Sequence, residues 1–498
     1  MTESNPAIAA AVAHLRRLSN KHLYGGKLQD PISGMAFPVV SPATRKEVGS
    51  AAQGDAKDVE AAVRAARAAQ PAWAAMSPRA RGRQLVEAAK QLNDHTEEIA
   101  ALLALETGKA IRTECRVEAK VLADAFEFYG GLGSELKGET VPFASNMLTF
   151  TQREPIGVVA AIIPWNVPLL LMALKIAPAM VAGNTVIVKS AEEAPMSTLY
   201  VVEILSKLLP PGVVNILSGD GPTCGTPLIS HPSIGKITFT GSVATGKIIA
   251  HAAADRLIPT TLELGGKSPM LVFKDADLER TVAGAVSGMR FTRQGQSCTA
   301  ASRIFVHNSL LDKFVQSLSD KVNAMVIGDP LDEKTDIGTI ISDQQYDRVK
   351  SYIALGEQSK GVQALHLSRL PQAPELKNGL FIQPVIFTGV GNDDRLAREE
   401  IFGPVTCVIG FDDDEDAIRM ANDSDFGLAA TVWTSDLKTA LNATKRLQAG
   451  FVQVNQNIVV QPGLSYGGVK QSGLGKEASL EAMLDHFTSK KTIIMNMD

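Results

Sequence analysis

The chain has 498 residues, 45% of them hydrophobic, with a formal net charge of −4. That length is too great for one ordinary core, so two or three domains are expected. The near-balanced charge argues against nucleic acid or an anionic membrane as main partner, and no apolar run is long enough to span a bilayer.

The segment Met1 to Ala13 carries Glu3 and lacks a basic start followed by an apolar core, so it does not read as a signal peptide. Residues 55 to 132 read as helical, with an alanine-rich run from Asp58 to Arg67 and further helices near Arg79 to Asn93, Glu97 to Leu105 and Arg112 to Tyr129. Strands and helices then alternate. Strands are expected at Ile156 to Ile163, Asn184 to Lys189, Val213 to Leu217, Lys236 to Thr240 and Thr260 to Leu264. Helices are expected at Leu169 to Val181, Thr198 to Leu208 and Ala244 to Ala254. Such alternation implies a parallel sheet with helices on both faces, and ligands in such sheets bind beyond the carboxyl ends of the strands.

After Gly265 the alternation restarts, with strands at Met270 to Phe273, Arg303 to Val306, Val405 to Ile409 and Phe451 to Val454. This predicts a second α/β domain with its boundary near Gly265-Gly266. Two further segments alternate polar and apolar residues, Asn146 to Arg153 and Ser489 to Met495, and read as edge strands that invite pairing. The four cysteines, Cys115, Cys224, Cys298 and Cys407, lie far apart with no Cys-x-x-Cys. Reduced thiols in a cytoplasmic protein and no structural metal site are the expectation.

Two segments carry the chemistry. Arg293-Gln294-Gly295-Gln296-Ser297-Cys298-Thr299-Ala300 offers a thiol, and Leu262-Glu263-Leu264-Gly265-Gly266-Lys267 offers a carboxylate framed by glycines. A thiol attacks a carbonyl well only as thiolate, and a carboxylate can activate water against the resulting thioester. Taken singly, each reads as well as a small core residue or a strand-end turn. Phe239-Thr240-Gly241-Ser242-Val243-Ala244-Thr245-Gly246 ends a strand and opens a helix whose free N–H groups suit a phosphate, although a plain strand-to-helix turn would look the same. Lys189 and Glu192 stand just past the second strand of the first sheet, where an adenosine ribose belongs; an acid there would repel a 2′-phosphate.

Together these segments resemble the two signature regions of the NAD(P)-dependent aldehyde dehydrogenase superfamily. Pro164-Trp165-Asn166, Lys189, Glu399-Glu400-Ile401-Phe402-Gly403-Pro404 and Tyr466-Gly467-Gly468-Val469-Lys470 follow in family order over nearly the whole chain. The resemblance implies an α/β, aldehyde-dehydrogenase-like fold: a Rossmann-type NAD domain (1–132 and 154–264), a second α/β catalytic domain (265–470) and a small β oligomerisation arm (133–153 and 482–498). It also implies a homodimer or homotetramer acting on a small-molecule aldehyde. Cys298 would attack the aldehyde, Asn166 and the Cys298 backbone N–H would stabilise the oxyanion, Glu263 would activate water, and Lys175 and Glu477 would relay protons. NAD is expected over NADP, with Lys189 and Glu192 at the ribose. Ile163, Pro164, Trp165, Gly221, Phe239, Gly241, Ser242, Leu264, Gly265, Glu400 and Phe402 would complete the cofactor site.

Val167, Leu171, Leu174, Phe291, Ser297, Thr299, Asn457 and Tyr466 match channel-lining positions of relatives. Their mostly apolar character points to aromatic or medium-chain aldehydes. Relatives specific for semialdehydes often carry an arginine where Leu174 stands. Arg293 reads first as a solvent-facing or subunit-contact residue, and secondly as an anchor for an acidic substrate. Glu263 favours release of a free acid over transfer to coenzyme A. A non-catalytic protein on the same scaffold is the alternative of another class, which intact Cys298, Glu263 and Asn166 oppose.

Overall fold

The structure is a computed structural model and describes residues 6–457 and 460–498. Residues 1–5, where the segment assessed for a signal peptide begins, lie outside the described residues. Among the described residues no helix is long and apolar enough to cross a membrane.

The first sheet is built from strands β1 (Val158–Ile162), β2 (Thr185–Lys189), β3 (Val214–Leu217), β4 (Ile234–Thr240) and β5 (Thr260–Glu263), ordered 3-2-1-4-5 and parallel throughout. His22–Tyr24 and Lys27–Gln29 extend it beyond β3, and Gly473–Leu474 joins antiparallel beyond β5. Helices α1 (Pro168–Val181), α2 (Pro195–Ser206) and α3 (Val243–Ala254) accompany these strands. Strand β1 is flanked by β2 on one side and β4 on the other, so strand order reverses there. A crevice opens at such a switch point, beyond the carboxyl ends of β1 and β4.

The chain leaves this sheet at Glu263 and enters the second at Pro269. That sheet comprises β6 (Pro269–Val272), β7 (Arg303–His307), β8 (Val385–Thr388), β9 (Val405–Phe411), β10 (Ala429–Trp433) and β11 (Phe451–Val454). They are ordered 8-9-7-6-10-11 and parallel, with Gln363–His366 antiparallel at the outer edge. Met147–Pro155 and Thr488–Asn496 pair antiparallel over their full lengths as a separate ribbon.

Several boundaries differ from expectation for local reasons. The first strand runs Val158–Ile162 rather than from Ile156, because Gly157 takes a left-handed φ of 120° just before it. Helix α2 begins at Pro195, since proline at the first turn forgoes no hydrogen bond. The expected helix from Arg112 opens with a π-helical turn, Ile111–Cys115, before Arg116–Gly131. A helix at Pro6–Leu18 and strands β8 and β10 were not anticipated from sequence.

Candidate active site

Helix α1 is buried along its whole length and carries Lys175 inward. Val159, Ala161 and their neighbours on β1 lead the chain to Pro164-Trp165-Asn166 at the switch point. Asn166 is held from two sides. Its side-chain Nδ2 donates to the Gln296 carbonyl at 3.1 Å, and its own carbonyl accepts from Lys109 Nζ at 2.9 Å. Lys109 is in turn paired with Glu118, which also accepts from the Leu169 N–H at 2.8 Å. This buried pair fixes the start of α1 against the loop bearing Asn166.

The Cys298 loop lies against the glycine pair after β5. A Cβ added at Gly266 would collide with the Cys298 carbonyl. The loop is closed by Gln294 and Gln296, whose amides donate to the Gly338, Arg293 and Thr339 carbonyls at 2.6–3.2 Å. Cys298 is half-buried, while Cys115, Cys224 and Cys407 are buried, and all four are free thiols. Burial pushes the Cys298 thiol up to about 11, with the Tyr466 hydroxyl opposing the shift through a hydrogen bond.

Glu263 ends β5, opposite Thr240 on β4 and Gly473 on the edge strand. It is almost fully buried, and among the described residues no well-formed hydrogen bond reaches either carboxylate oxygen. Burial first, then the nearby Glu477 charge, raises its pKa well above the usual carboxylate range; the Gly468 backbone is the smallest opposing influence. Lys175 Nζ and Glu477 Oε1 are 2.6 Å apart and both buried, and Thr238 donates to the same oxygen at 3.0 Å. The two residues paired by sequence reasoning, 302 positions apart, are therefore in contact.

Two cavities meet at Asn166 and Cys298. The larger, about 340 Å³, lies beyond the carboxyl ends of β1 and β4. Of the expected cofactor residues, Pro164, Trp165, Gly241, Ser242, Leu264, Gly265, Glu400 and Phe402 line it. Ser242 caps α3, accepting from the Thr245 N–H, so the positive helix end faces this crevice. Leu264 packs closely over Gly246, and a Cβ there would approach its methyl to 2.6 Å. Glu400 accepts from the Gly266 N–H at 2.8 Å and is partly buried, and the resulting loss of solvation raises its pKa. Phe402 takes a left-handed φ of 59° and sets its ring edge-on to Trp165 at 5.3 Å.

Ile163, Lys189, Glu192, Gly221 and Phe239 do not line that cavity. Ile163 and Phe239 are buried beneath it; the Phe239 ring packs under Gly241. Lys189 and Glu192 sit together beyond β2, with Nζ and Oε1 3.4 Å apart. Gly221 opens a π-helical turn capped by Asp220. Sequence reasoning missed Gln345 and Arg348, which also line the cavity. From helix α4 (Asp343–Gln358) Gln345 donates to the Ile401 and Phe402 carbonyls at 3.0 and 2.9 Å, and Arg348 to the Glu400 carbonyl at 2.6 Å. Together they brace the Glu-Ile-Phe loop.

The smaller cavity, about 70 Å³, is lined by Val167, Leu171, Arg293, Ser297, Thr299 and Tyr466 of the expected substrate residues. Val117, Val121, Leu170 and Val460 add apolar wall that sequence reasoning did not name. Leu174 and Phe291 lie instead in hydrophobic cores, and Asn457 packs on Gly288; none of the three reaches this cavity. The expectation of a solvent-facing Arg293 is overturned. Its side chain is 11% exposed and forms a two-nitrogen ion pair with Glu114, at 2.5 and 2.7 Å, because a guanidinium this deep needs a carboxylate partner.

A thiol and a buried amide thus converge where a cleft at a helix N-terminus meets an apolar pocket, while the buried carboxylate of Glu263 lines neither cavity. The sequence pattern of the aldehyde dehydrogenase family matches residues 30–493. The chain belongs to the aldehyde dehydrogenase family. This aldehyde dehydrogenase is 40% identical over 478 residues to the betaine aldehyde dehydrogenase of Sinorhizobium fredii, covering 96% of this chain and 97% of that relative. It is 38% identical over 493 residues to the mitochondrial aldehyde dehydrogenase family 2 member B4 of Arabidopsis thaliana, covering 98% and 89%. Among solved structures, the NAD+ complex of an aldehyde dehydrogenase from Bacillus cereus superposes with a TM-score of 0.94 at 35% identity, covering 99% of each chain. The protein is an NAD-dependent aldehyde dehydrogenase with the α/β fold of that family.

Proposed function

We propose that this enzyme oxidises a hydrophobic aldehyde, aromatic or medium-chain, to the free carboxylic acid through a thioester on Cys298. The observation that carries the reading is the position of Cys298 and Asn166 at the junction of the two cavities. An aldehyde reaching Cys298 through the apolar pocket would meet the thiol and the amide at once, with the cofactor cleft on the other side.

In this reading the Cys298 thiolate bonds to the aldehyde carbon. The oxygen that gains charge is held by the Asn166 amide and the Cys298 N–H, each such donor being worth roughly 3–4 kcal/mol. NAD held in the larger cavity would supply the hydride acceptor as the tetrahedral adduct collapses to the thioester. The residues lining the larger cavity, with Lys189 and Glu192 beyond β2, would hold that cofactor; the helix N-terminus at Ser242 and the cradle around Gly241, Gly246 and Gly265 fit a dinucleotide. Glu263, in its carboxylate form, then takes a proton from water, and the hydroxide displaces the Cys298 thiolate. A carboxyl with a raised pKa is the stronger base for that step. Lys175 and Glu477, joined by a buried ion pair, supply the path by which Glu263 exchanges its proton.

The apolar pocket supports the substrate class. A quaternary ammonium such as that of betaine aldehyde is recognised by a cage of aromatic faces, whereas Tyr466 is the one aromatic residue among those lining this pocket. A carboxylate-bearing semialdehyde would need a free cation, and Arg293 is already neutralised by Glu114. Each buried methylene adds about 0.8 kcal/mol to the preference for a longer chain. The test is kcat/KM for benzaldehyde, hexanal, acetaldehyde, betaine aldehyde and succinic semialdehyde. Benzaldehyde and hexanal should lead by at least about tenfold. If succinic semialdehyde leads, and loses its lead in Arg293→Ala, the semialdehyde reading replaces this one. We propose further that the chain works in the cytoplasm as a homo-oligomer joined through the ribbon of Met147–Pro155 and Thr488–Asn496, whose Leu148, Ile494 and Met495 are exposed.

A further inference from the structure

We propose that Tyr466 is a catalytic residue whose phenol O–H donates a hydrogen bond to the Cys298 thiolate and keeps the nucleophile in its reactive form. The inference rests on the reading of Cys298 as nucleophile. Tyr466 Oη and Cys298 Sγ are 3.4 Å apart, and this is the one side-chain hydrogen bond that the sulfur makes among the described residues. Two guanidiniums also act on the sulfur, Arg293, which is answered by Glu114 at 2.5 Å, and the buried Arg290, while Glu400 and Glu263 oppose a second negative charge nearby. Of these groups, the phenol is the one that bonds the sulfur directly.

The phenol is built to be that donor. Tyr466 is 3% exposed, and its ring meets Phe451 edge-on at 5.7 Å. Its backbone is locked to Glu477 by reciprocal N–H to carbonyl bonds of 2.9 and 2.7 Å. With the backbone fixed, burial of the ring and its packing on Phe451 restrain the hydroxyl beside the sulfur. Burial, together with the Cys298 and Glu263 charges, drives the phenol pKa well up, so the hydroxyl keeps its proton and can only donate once the thiol has lost its own. No bond to the phenol is made or broken. The thiol proton leaves, the phenol stabilises the resulting S⁻, and that hydrogen bond weakens when the sulfur pair bonds to the aldehyde carbon.

Tyr466→Phe keeps the ring and removes only the donor. The measurement is the pH dependence of iodoacetamide alkylation of the full-length enzyme; Cys115, Cys224 and Cys407 are buried, so the rate reports Cys298. The midpoint should move up by about one pH unit or more, slowing alkylation roughly tenfold near neutral pH, while the rate at the alkaline plateau and the affinity for NAD stay unchanged. A purely structural role would slow alkylation at every pH without moving the midpoint, and that result, or a profile superimposable on wild type, overturns the proposal. Cys298→Ala run alongside separates the two claims: retained turnover there removes the nucleophile itself, whereas lost turnover with an unmoved Tyr466→Phe midpoint removes only the role of the phenol.

Discussion

Glu263→Gln separates the two halves of the chemistry. The side chain ends β5 almost fully buried, with no well-formed hydrogen bond to either oxygen among the described residues, and its pKa lies well above that of an ordinary carboxylate. Burial disfavours its charged form, and glutamine copies the shape of the neutral acid. The variant should therefore fold as well as wild type, with a stability change within about 1 kcal/mol. Hydride transfer needs no base at this position once the thiolate has formed, but hydrolysis does. General-base catalysis is worth 10²–10⁴-fold, so deacylation should slow by about 10³. Rapid-mixing measurement of NADH should show a burst approaching one equivalent per site, followed by slow turnover. Wild-type steady-state turnover in Glu263→Gln would refute the assignment, as would loss of the burst with intact folding.

Asn166→Ala removes the amide beside the sulfur and should lower kcat by about 10²–10³ with little change in NAD affinity, read by steady-state kinetics and a binding titration. Lys175→Met leaves Glu477 buried without its cation at 2.6 Å, and should cost about 3–5 kcal/mol in denaturant unfolding; a loss below about 1 kcal/mol would mean the pair is solvated. Glu192→Ser should narrow the preference for NAD over NADP in kcat/KM, and a wild-type preference for NADP would sink the ribose assignment. Activity should rise from neutral into alkaline pH. Both the thiol, pushed up to about 11, and Glu263, raised well above normal, act only after losing a proton, so acid suppresses each; a rate falling above neutral pH contradicts this sign.

The parallel strands of the first sheet and the location of its ligand crevice were legible because β1, β2, β4 and β5 are short apolar runs closed by Pro164, Lys189, Gly241 and Gly265. Strand β10 escaped notice because Ala429 to Trp433, buried throughout, lacks the polar–apolar alternation that would mark it as strand rather than buried helix. The π-helical turns at Ile111–Cys115 and Gly221–Gly225 have no sequence periodicity of their own. In the site, motif residues were found where local chemistry fixes the residue type. What failed depended on partners distant in sequence. Arg293 is buried by Glu114, 179 residues away, and Gln345 and Arg348 reach the Glu400 loop from 52 to 57 residues away. Leu174 and Phe291, expected in the channel by resemblance, lie in hydrophobic cores here.

The central claim is a covalent acyl group on Cys298. Acid-quenching Glu263→Gln with NAD and benzaldehyde, then mapping peptides by mass spectrometry, tests it most directly. A benzoyl mass increment on the peptide containing Cys298, absent in the Cys298→Ala double variant and absent without NAD, is the predicted result. An unmodified Cys298 peptide under conditions that yield a full NADH burst would contradict the account.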